Sequence, residues 1–180
     1  MTNSNYSVYY GIKELHRLHT ASSLAFDTET LQLQPEKGKL RLLQLGSYTL
    51  KTIVIIDCFE LSDNNWNYLN RFFQNGARYW LAHNAVFDLG WLQEHDIYVR
   101  GKVRCSMLAS RLLTNGIPKT KNGLADVAKR YLDMEVSKEQ QKSNWGADVL
   151  SSAQLEYAAK DIEVLLELDQ ILDVRIQANQ

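Results

Sequence analysis

The sequence predicts an α/β layered domain, a mixed sheet of about five strands flanked by helices. Three features carry this expectation. Apolar runs of strand length follow one another early in the chain, with a short turn between two of them. Strand and helix patterns then alternate through the middle. The C-terminal half is helical and ends in a long amphipathic stretch. Residues 23–28 read as a strand around Leu24-Ala25-Phe26, and 40–47 and 52–57 as two more, separated by a turn near 47–51, so the three form a meander. A helix is expected over 63–75 with Asp63 as its N-cap. Residues 78–83 give a fourth strand, 84–95 a second helix and 97–99 a short fifth strand. Helices are expected at 103–114 and 124–132, then a poorly patterned stretch at 136–144, then a helix over 152–176. Ser151 or Ser152 can cap that last helix, and Leu155, Ala158, Ile162, Leu165 and Leu168 form its buried stripe.

Composition bounds the class. A chain of 180 residues with 45% apolar content suits one domain over residues 1–180 with a single core. Two prolines and nine glycines leave little room for a disordered linker. Cys58 and Cys105 are too few for a disulfide framework or a zinc site, so reduced thiols and a cytoplasmic location are expected. The start, Met1-Thr2-Asn3-Ser4-Asn5-Tyr6-Ser7, has no basic stretch followed by an apolar one. No apolar run approaches the ~20 residues of a membrane span, so neither a leader nor a membrane partner is expected.

The net charge of -1 hides an uneven distribution. Between Arg100 and Lys142 there are ten basic residues, Lys119 and Lys121 among them, against four acids, a net of +6 that leaves -7 for the remainder. Acids able to hold metal and bases able to hold phosphate are thereby separated along the chain.

The acids sit in a telling pattern. In Phe26-Asp27-Thr28-Glu29-Thr30, Asp27 and Glu29 are two apart on a strand and so point to one face. Asn84 and Asp88 are four apart on the second helix, and Tyr157 and Asp161 four apart on the last, each pair sharing a helix face. If both helices pack beside the Asp27–Glu29 strand, the polar groups converge. The small Ala158 and Ala159 allow close approach of the last helix to the sheet. Four carboxylates in this setting suggest a cage for a pair of Mg²⁺ or Mn²⁺ ions, roughly 3.5–4 Å apart, that hydrolyses phosphodiesters.

Asp27-Thr28-Glu29, Asn84-x-x-x-Asp88 and Tyr157-x-x-x-Asp161 resemble, in order and spacing, the three motifs of the DEDD superfamily of 3′–5′ exonucleases, in its tyrosine branch. That family includes ribonuclease D, the proofreading domain of bacterial DNA polymerase I and the Werner-type exonuclease. The resemblance spans Leu24 to Leu172 and implies a ribonuclease H-like fold. It also implies that Asp27, Glu29 and Asp161 hold one metal ion, while Asp27 and Asp88 hold a second together with the scissile phosphate. Tyr157 would position the attacking water, a role that suits a side chain whose ordinary pKa is about 10. Glu29 and the backbone of Thr28 would meet the 3′-hydroxyl, Leu33 the terminal base, and Asn84 and Phe87 the substrate strand. The implied partner is single-stranded DNA or RNA with a 3′ end, released as nucleoside 5′-monophosphates. The segment from Asp27 to Pro35, with Leu33, is closer to the polymerase proofreading type, which tilts the expectation towards DNA. Ser143-Asn144-Trp145 is similar to a Ser-Asp-Trp element of ribonuclease D, with Asn in place of Asp.

The same residues admit other readings. Asn84 can cap the second helix; Phe87 and Trp91, four apart, can be core; Leu33 can be an ordinary packed residue. Trp145 reads as a loop-to-core anchor, His83 lacks a partner at metal spacing, and Asp57 and Asp96 read as turn acids. A catalytically silent binding module of the same fold would usually have lost one of the acids. A phosphatase of the Asp-x-Asp type needs Asp where Glu29 stands. A glycosidase could use two carboxylates, which leaves the Tyr157–Asp161 helix and the basic segment without a purpose.

Overall fold

The structure, a computed structural model, describes residues 4–178. Part of the N-terminal segment read above, Met1–Asn3, lies outside the described residues. One mixed sheet holds six strands: β1 (Ser7–Tyr10), β2 (Ser23–Thr30), β3 (Leu40–Ser47), β4 (Thr52–Asp57), β5 (Tyr79–Ala82) and β6 (Lys102–Cys105), in the order β1-β4-β3-β2-β5-β6. Among the described residues five α-helices accompany it: α1 (Asp63–Phe73), α2 (Ala85–Glu94), α3 (Ser106–Leu113), α4 (Leu124–Leu132) and α5 (Ser152–Gln177). The meander is antiparallel between β2, β3 and β4, while β5 and β6 run parallel to β2 and β1 runs parallel to β4. Residues of β3 are buried along its whole length, as a central strand covered on both faces requires.

Strand alternation sorts the side chains into two cores. Phe26, Leu43, Leu45, Val54 and Trp80 face α1 and α2, where Phe73 stacks on Trp80 with ring centroids 4.5 Å apart. Ala25, Leu42, Ile53, Ile55 and Leu81 face α5 and meet Ala158, Ile162 and Leu165. Further along α5, Val164, Leu168 and Leu172 pack on Val127 and Ala128 of α4. Of the expected stripe, Leu155 is only partly buried, because it sits in the first turn of the helix, at the margin of the sheet.

Several expectations need correction. The sheet has six strands, not five. β1 escaped the sequence reading because it is a four-residue edge strand with half-exposed side chains. Residues 97–99 are not a strand; Ile97 fills the core from a loop. The sixth position is taken by β6, which occupies residues read as the start of a helix. Its Lys102 and Arg104 are the charged side chains that protect an exposed edge. Ser62 rather than Asp63 caps α1, and the Ser62 N–H donates to Asn65 Oδ1 at 3.1 Å. At α5 the capping residue is Ser151: its N–H donates to Gln154 Oε1 (3.0 Å), and its Oγ accepts from the Gln154 N–H (3.2 Å). Among the described residues no helix is long and apolar enough to cross a membrane.

α5 lies tightly against the sheet at Gly46 of β3. A methyl group there would run into Ile162 Cγ2 and Leu166 Cδ1. Gly46→Ala should therefore destabilise the fold by about 1–3 kcal/mol through overpacking. Urea unfolding checks this: the midpoint should drop while the slope stays constant.

Candidate active site

The site is built at the end of β2. Because β2 alternates, Asp27 and Glu29 continue the face of Ala25, towards α5, and Thr28 continues the face of Phe26, towards α2. Asp161, on α5, closes over the first pair. One oxygen from each of Asp27, Glu29 and Asp161 lies within 4.8 Å of the others. Tyr157, one helical turn before Asp161, shares its helix face, and its hydroxyl favours the charged form of the Asp161 carboxylate. Asp88 arrives from α2 on the opposite side of the sheet, where its Oδ1 accepts from Thr28 Oγ1 at 2.7 Å. The five expected catalytic side chains thus converge from two faces, around one strand end.

Thr28 gains a role that the sequence did not reveal. Its side chain is buried and holds Asp88; only its backbone remains available to a substrate.

Electrostatics define what this arrangement can hold. Burial, followed by mutual repulsion, raises the pKa of Glu29, Asp88 and Asp161 well above the usual carboxylate range. Burial alone raises that of Asp27, against a hydrogen bond from the Thr28 backbone. Among the described residues, none of the four acids is in an ion pair with a lysine, arginine or histidine. Burial and the charges of Asp161 and Glu29 likewise hold the Tyr157 phenol protonated far above neutral pH. A cluster of hard oxygen donors with uncompensated charge fits a divalent metal ion.

The acids line a cleft of about 560 Å³. On one rim stands Leu33, 82% exposed, so it is not a packed residue. On another stands Asn84, exposed and in the left-handed region at φ 61, a conformation Asn tolerates. Asn84 is the N-cap residue of α2, as read from the sequence: its carbonyl accepts from the Phe87 N–H at 2.9 Å, while its side chain makes no capping hydrogen bond. Phe87 lines the cleft and also packs against the core beside Trp91, which is fully buried. Trp145 is buried as an anchor, its ring 6.4 Å from that of Tyr157.

The basic segment divides. Arg104 pairs with Asp169 and Asp173, and Lys129 with Asp133 and Glu135. Arg130 donates to Ser110 Oγ and the Lys121 carbonyl. Lys119 and Lys121 are exposed but do not line the cleft. The lysines that do are Lys138 and Lys142, in the stretch without a pattern, and Lys138 also lies 3.5 Å from Asp126. His83 is a brace: Nδ1 lies 2.8 Å from Ser106 Oγ and Nε2 is 3.0 Å from the Asn122 carbonyl. Burial pushes its pKa down to about 4, so the ring is neutral.

With this geometry established, comparison with known proteins is direct. A family model described as 3′–5′ exonuclease matches residues 12–177, and the chain belongs to that family. DNA polymerase I of Aquifex aeolicus is 33% identical over 156 residues, covering 87% of this chain and 24% of the relative. Ribonuclease D of Haemophilus influenzae is 33% identical over 153 residues, covering 84% of this chain and 36% of the relative. The chain therefore spans about a quarter to a third of the length of these curated relatives. Among solved structures, Brucella melitensis NrnC bound to pGG superposes with a TM-score of 0.80 at 28% identity, over 97% of this chain and 83% of that one. NrnC with bound Mg²⁺ gives 0.78 at 27% identity, over 96% and 83%.

The repulsion within the cluster has a thermodynamic sign. An acid whose pKa is higher folded than unfolded retains protons in the native state, so the cluster's contribution to metal-free stability is fully present below about pH 4 and is lost as pH rises through the folded pKa. Asp27→Asn removes one charge from the cluster. In EDTA near pH 8 it should raise Tm by about 2–8 °C, with the gain shrinking towards pH 4, and it should abolish turnover. Thermal melts across that pH range check the sign.

Proposed function

We propose that this chain is a metal-dependent 3′–5′ exonuclease that removes nucleoside 5′-monophosphates from the 3′ end of single-stranded nucleic acid, with residues 1–180 acting as one catalytic domain. The observation that carries this reading is the convergence of Asp27, Glu29 and Asp161 on one point of an open cleft. Asp27, Glu29 and Asp161 would hold one ion and Asp27 with Asp88 a second, either Mg²⁺ or Mn²⁺. When bound, such ions make hydroxide available near neutral pH and offset charge on the leaving oxygen.

In the reaction, a water oxygen forms a bond to the terminal phosphorus and the P–O3′ bond breaks. The 3′-oxygen takes up a proton, leaving a shortened strand with a 3′-hydroxyl and a free 5′-monophosphate. Tyr157 keeps its proton at neutral pH, so it orients the water rather than abstracting from it. Thr28 fixes Asp88 from the opposite face.

The cleft rim supports the choice of an unpaired end. Exposed Leu33 can wedge beside the last base, an interaction open to every base and available only when the end is frayed or single. Asn84 and Phe87 meet the strand from α2, and the backbone of Thr28 with Glu29 reads the 3′-hydroxyl. Lys138 and Lys142 take the role first given to Lys119 and Lys121, that of phosphate contacts. The Leu33 context favours DNA over RNA. The two free cysteines fit a reducing compartment, and we place the protein in the cytoplasm.

Matched 5′-labelled DNA and RNA strands test the reading. With Mg²⁺, single strands should shorten one nucleotide at a time, DNA faster than RNA, and EDTA should stop the reaction. A 3′-phosphate should protect the strand; comparable cutting of a circular strand would refute terminal recognition. Tyr157→Phe should lower kcat, by no more than about 10²–10⁴-fold, with substrate binding retained. Neutralising Lys138 and Lys142 together should weaken binding of all sequences alike and flatten its salt dependence, whereas neutralising Lys119 and Lys121 should do neither.

A further inference from the structure

Gln44 is fully buried, yet neither Oε1 nor Nε2 of its amide has a hydrogen-bond partner among the described residues. Leaving both ends of a buried amide unpaired is costly, and a native protein that retains such a group has a use for it. An apolar side chain of similar length would fill the same volume without that cost.

The position of Gln44 indicates the use. It lies on β3 between Leu42 and Gly46, on the face covered by α5. Its register partner on β4 is Ile55, which offers no polar group, and its register partner on β2 is Asp27. Directly opposed residues on antiparallel strands share a face, with Cβ atoms about 4.5–5.5 Å apart. The polar side chain across the strand pair from this amide is therefore the carboxylate that both proposed ions share.

We propose that Gln44 is a positioning residue for Asp27: its amide N–H donates to the Asp27 carboxylate, directly or through one water, when that carboxylate is ionised and holds a divalent ion. Carboxylates that ligate metal are commonly oriented by such a donor, whose loss lowers metal affinity by roughly 10–100-fold. Gln44 would supply Asp27 with what Thr28 supplies to Asp88. The inference rests on the exonuclease reading of the site.

The test uses Gln44→Met, which preserves length and removes both polar atoms. In EDTA the variant should be at least as stable as the parent protein. Its affinity for Mn²⁺, measured by calorimetry without substrate, should fall about tenfold or more, and kcat should fall with KM little changed. Unchanged Mn²⁺ affinity would make Gln44 an ordinary core amide and overturn the proposal. Should the variant not fold, a crystal structure of the parent protein with Mn²⁺ decides. Nε2 within hydrogen-bond distance of Asp27, or of a water bound to it, upholds the proposal; an amide still unpaired overturns it. Weakened Mn²⁺ binding in a protein that digests no nucleic acid would uphold the role of Gln44 and defeat the exonuclease reading instead.

Discussion

The site depends on how closely α5 can lie against the sheet. Gly46 on β3 and Ala158 on α5 leave so little between the two layers that Ile162 and Leu166 occupy the space of a missing side chain. This approach sets the height of Asp161 above Asp27 and Glu29, and hence whether three carboxylates can share one ion. The helix is 26 residues long, and its later turns are fixed independently against α4. Its position over the sheet is thus secured by two packed surfaces, and the end bearing Tyr157 and Asp161 inherits the rigidity of both.

That rigidity is needed because the acids oppose it. Buried carboxylates of like sign favour separation or protonation, and among the described residues none of these four has an ion-pair partner. The fold separates them as far as one strand end allows. Asp27 and Glu29 face one layer, and Asp88 enters from the other, reached through the intervening Thr28. The order acid, hydroxyl, acid on β2 is what alternation requires of a site with ligands on both faces of a sheet: the outer residues serve α5 and the middle one serves α2. The repulsion that remains is what makes the cluster a receptor for a divalent cation rather than a set of buried ion pairs.

Much of this was legible in the sequence, for local reasons. A two-residue spacing on a strand and four-residue spacings on two helices are short-range geometry, and they placed Asp27, Glu29, Asp88, Tyr157 and Asp161 correctly relative to their own elements. The meander and the long C-terminal helix were legible for the same reason. Non-local features were not. The brace between Thr28 and Asp88 joins residues sixty apart, and the facing of Gln44 and Asp27 requires the register of β2 on β3. Edge strands β1 and β6 carry too few buried side chains to stand out by period. Net charge misled in its detail: Arg104, Lys129 and Arg130 are taken up by internal partners, so counting the segment overstated what it can offer to phosphate.

The stretch that carried no pattern proves to be coupled to the chemistry. Residues 136–143 form one wall of the cleft, with only a short 3₁₀ turn, Glu139–Lys142, among them. What holds the end of this wall is Gln154. Its Nε2 donates to Ser143 Oγ at 3.0 Å and to the Asn144 carbonyl at 3.2 Å, while its Oε1 accepts from the N–H of Ser151, the cap of α5. Trp145 then enters the core beside the Tyr157 ring. One buried amide therefore ties the wall bearing Lys138 and Lys142 to the first turn of the helix bearing Tyr157 and Asp161. A segment with little helical or strand periodicity can still be placed accurately when its last residues are bonded to a capping box, since the cap fixes a backbone position that side-chain pattern does not encode. Lys138 and Lys142 on the wall and Tyr157 and Asp161 on the helix are thereby referred to the same point of the fold.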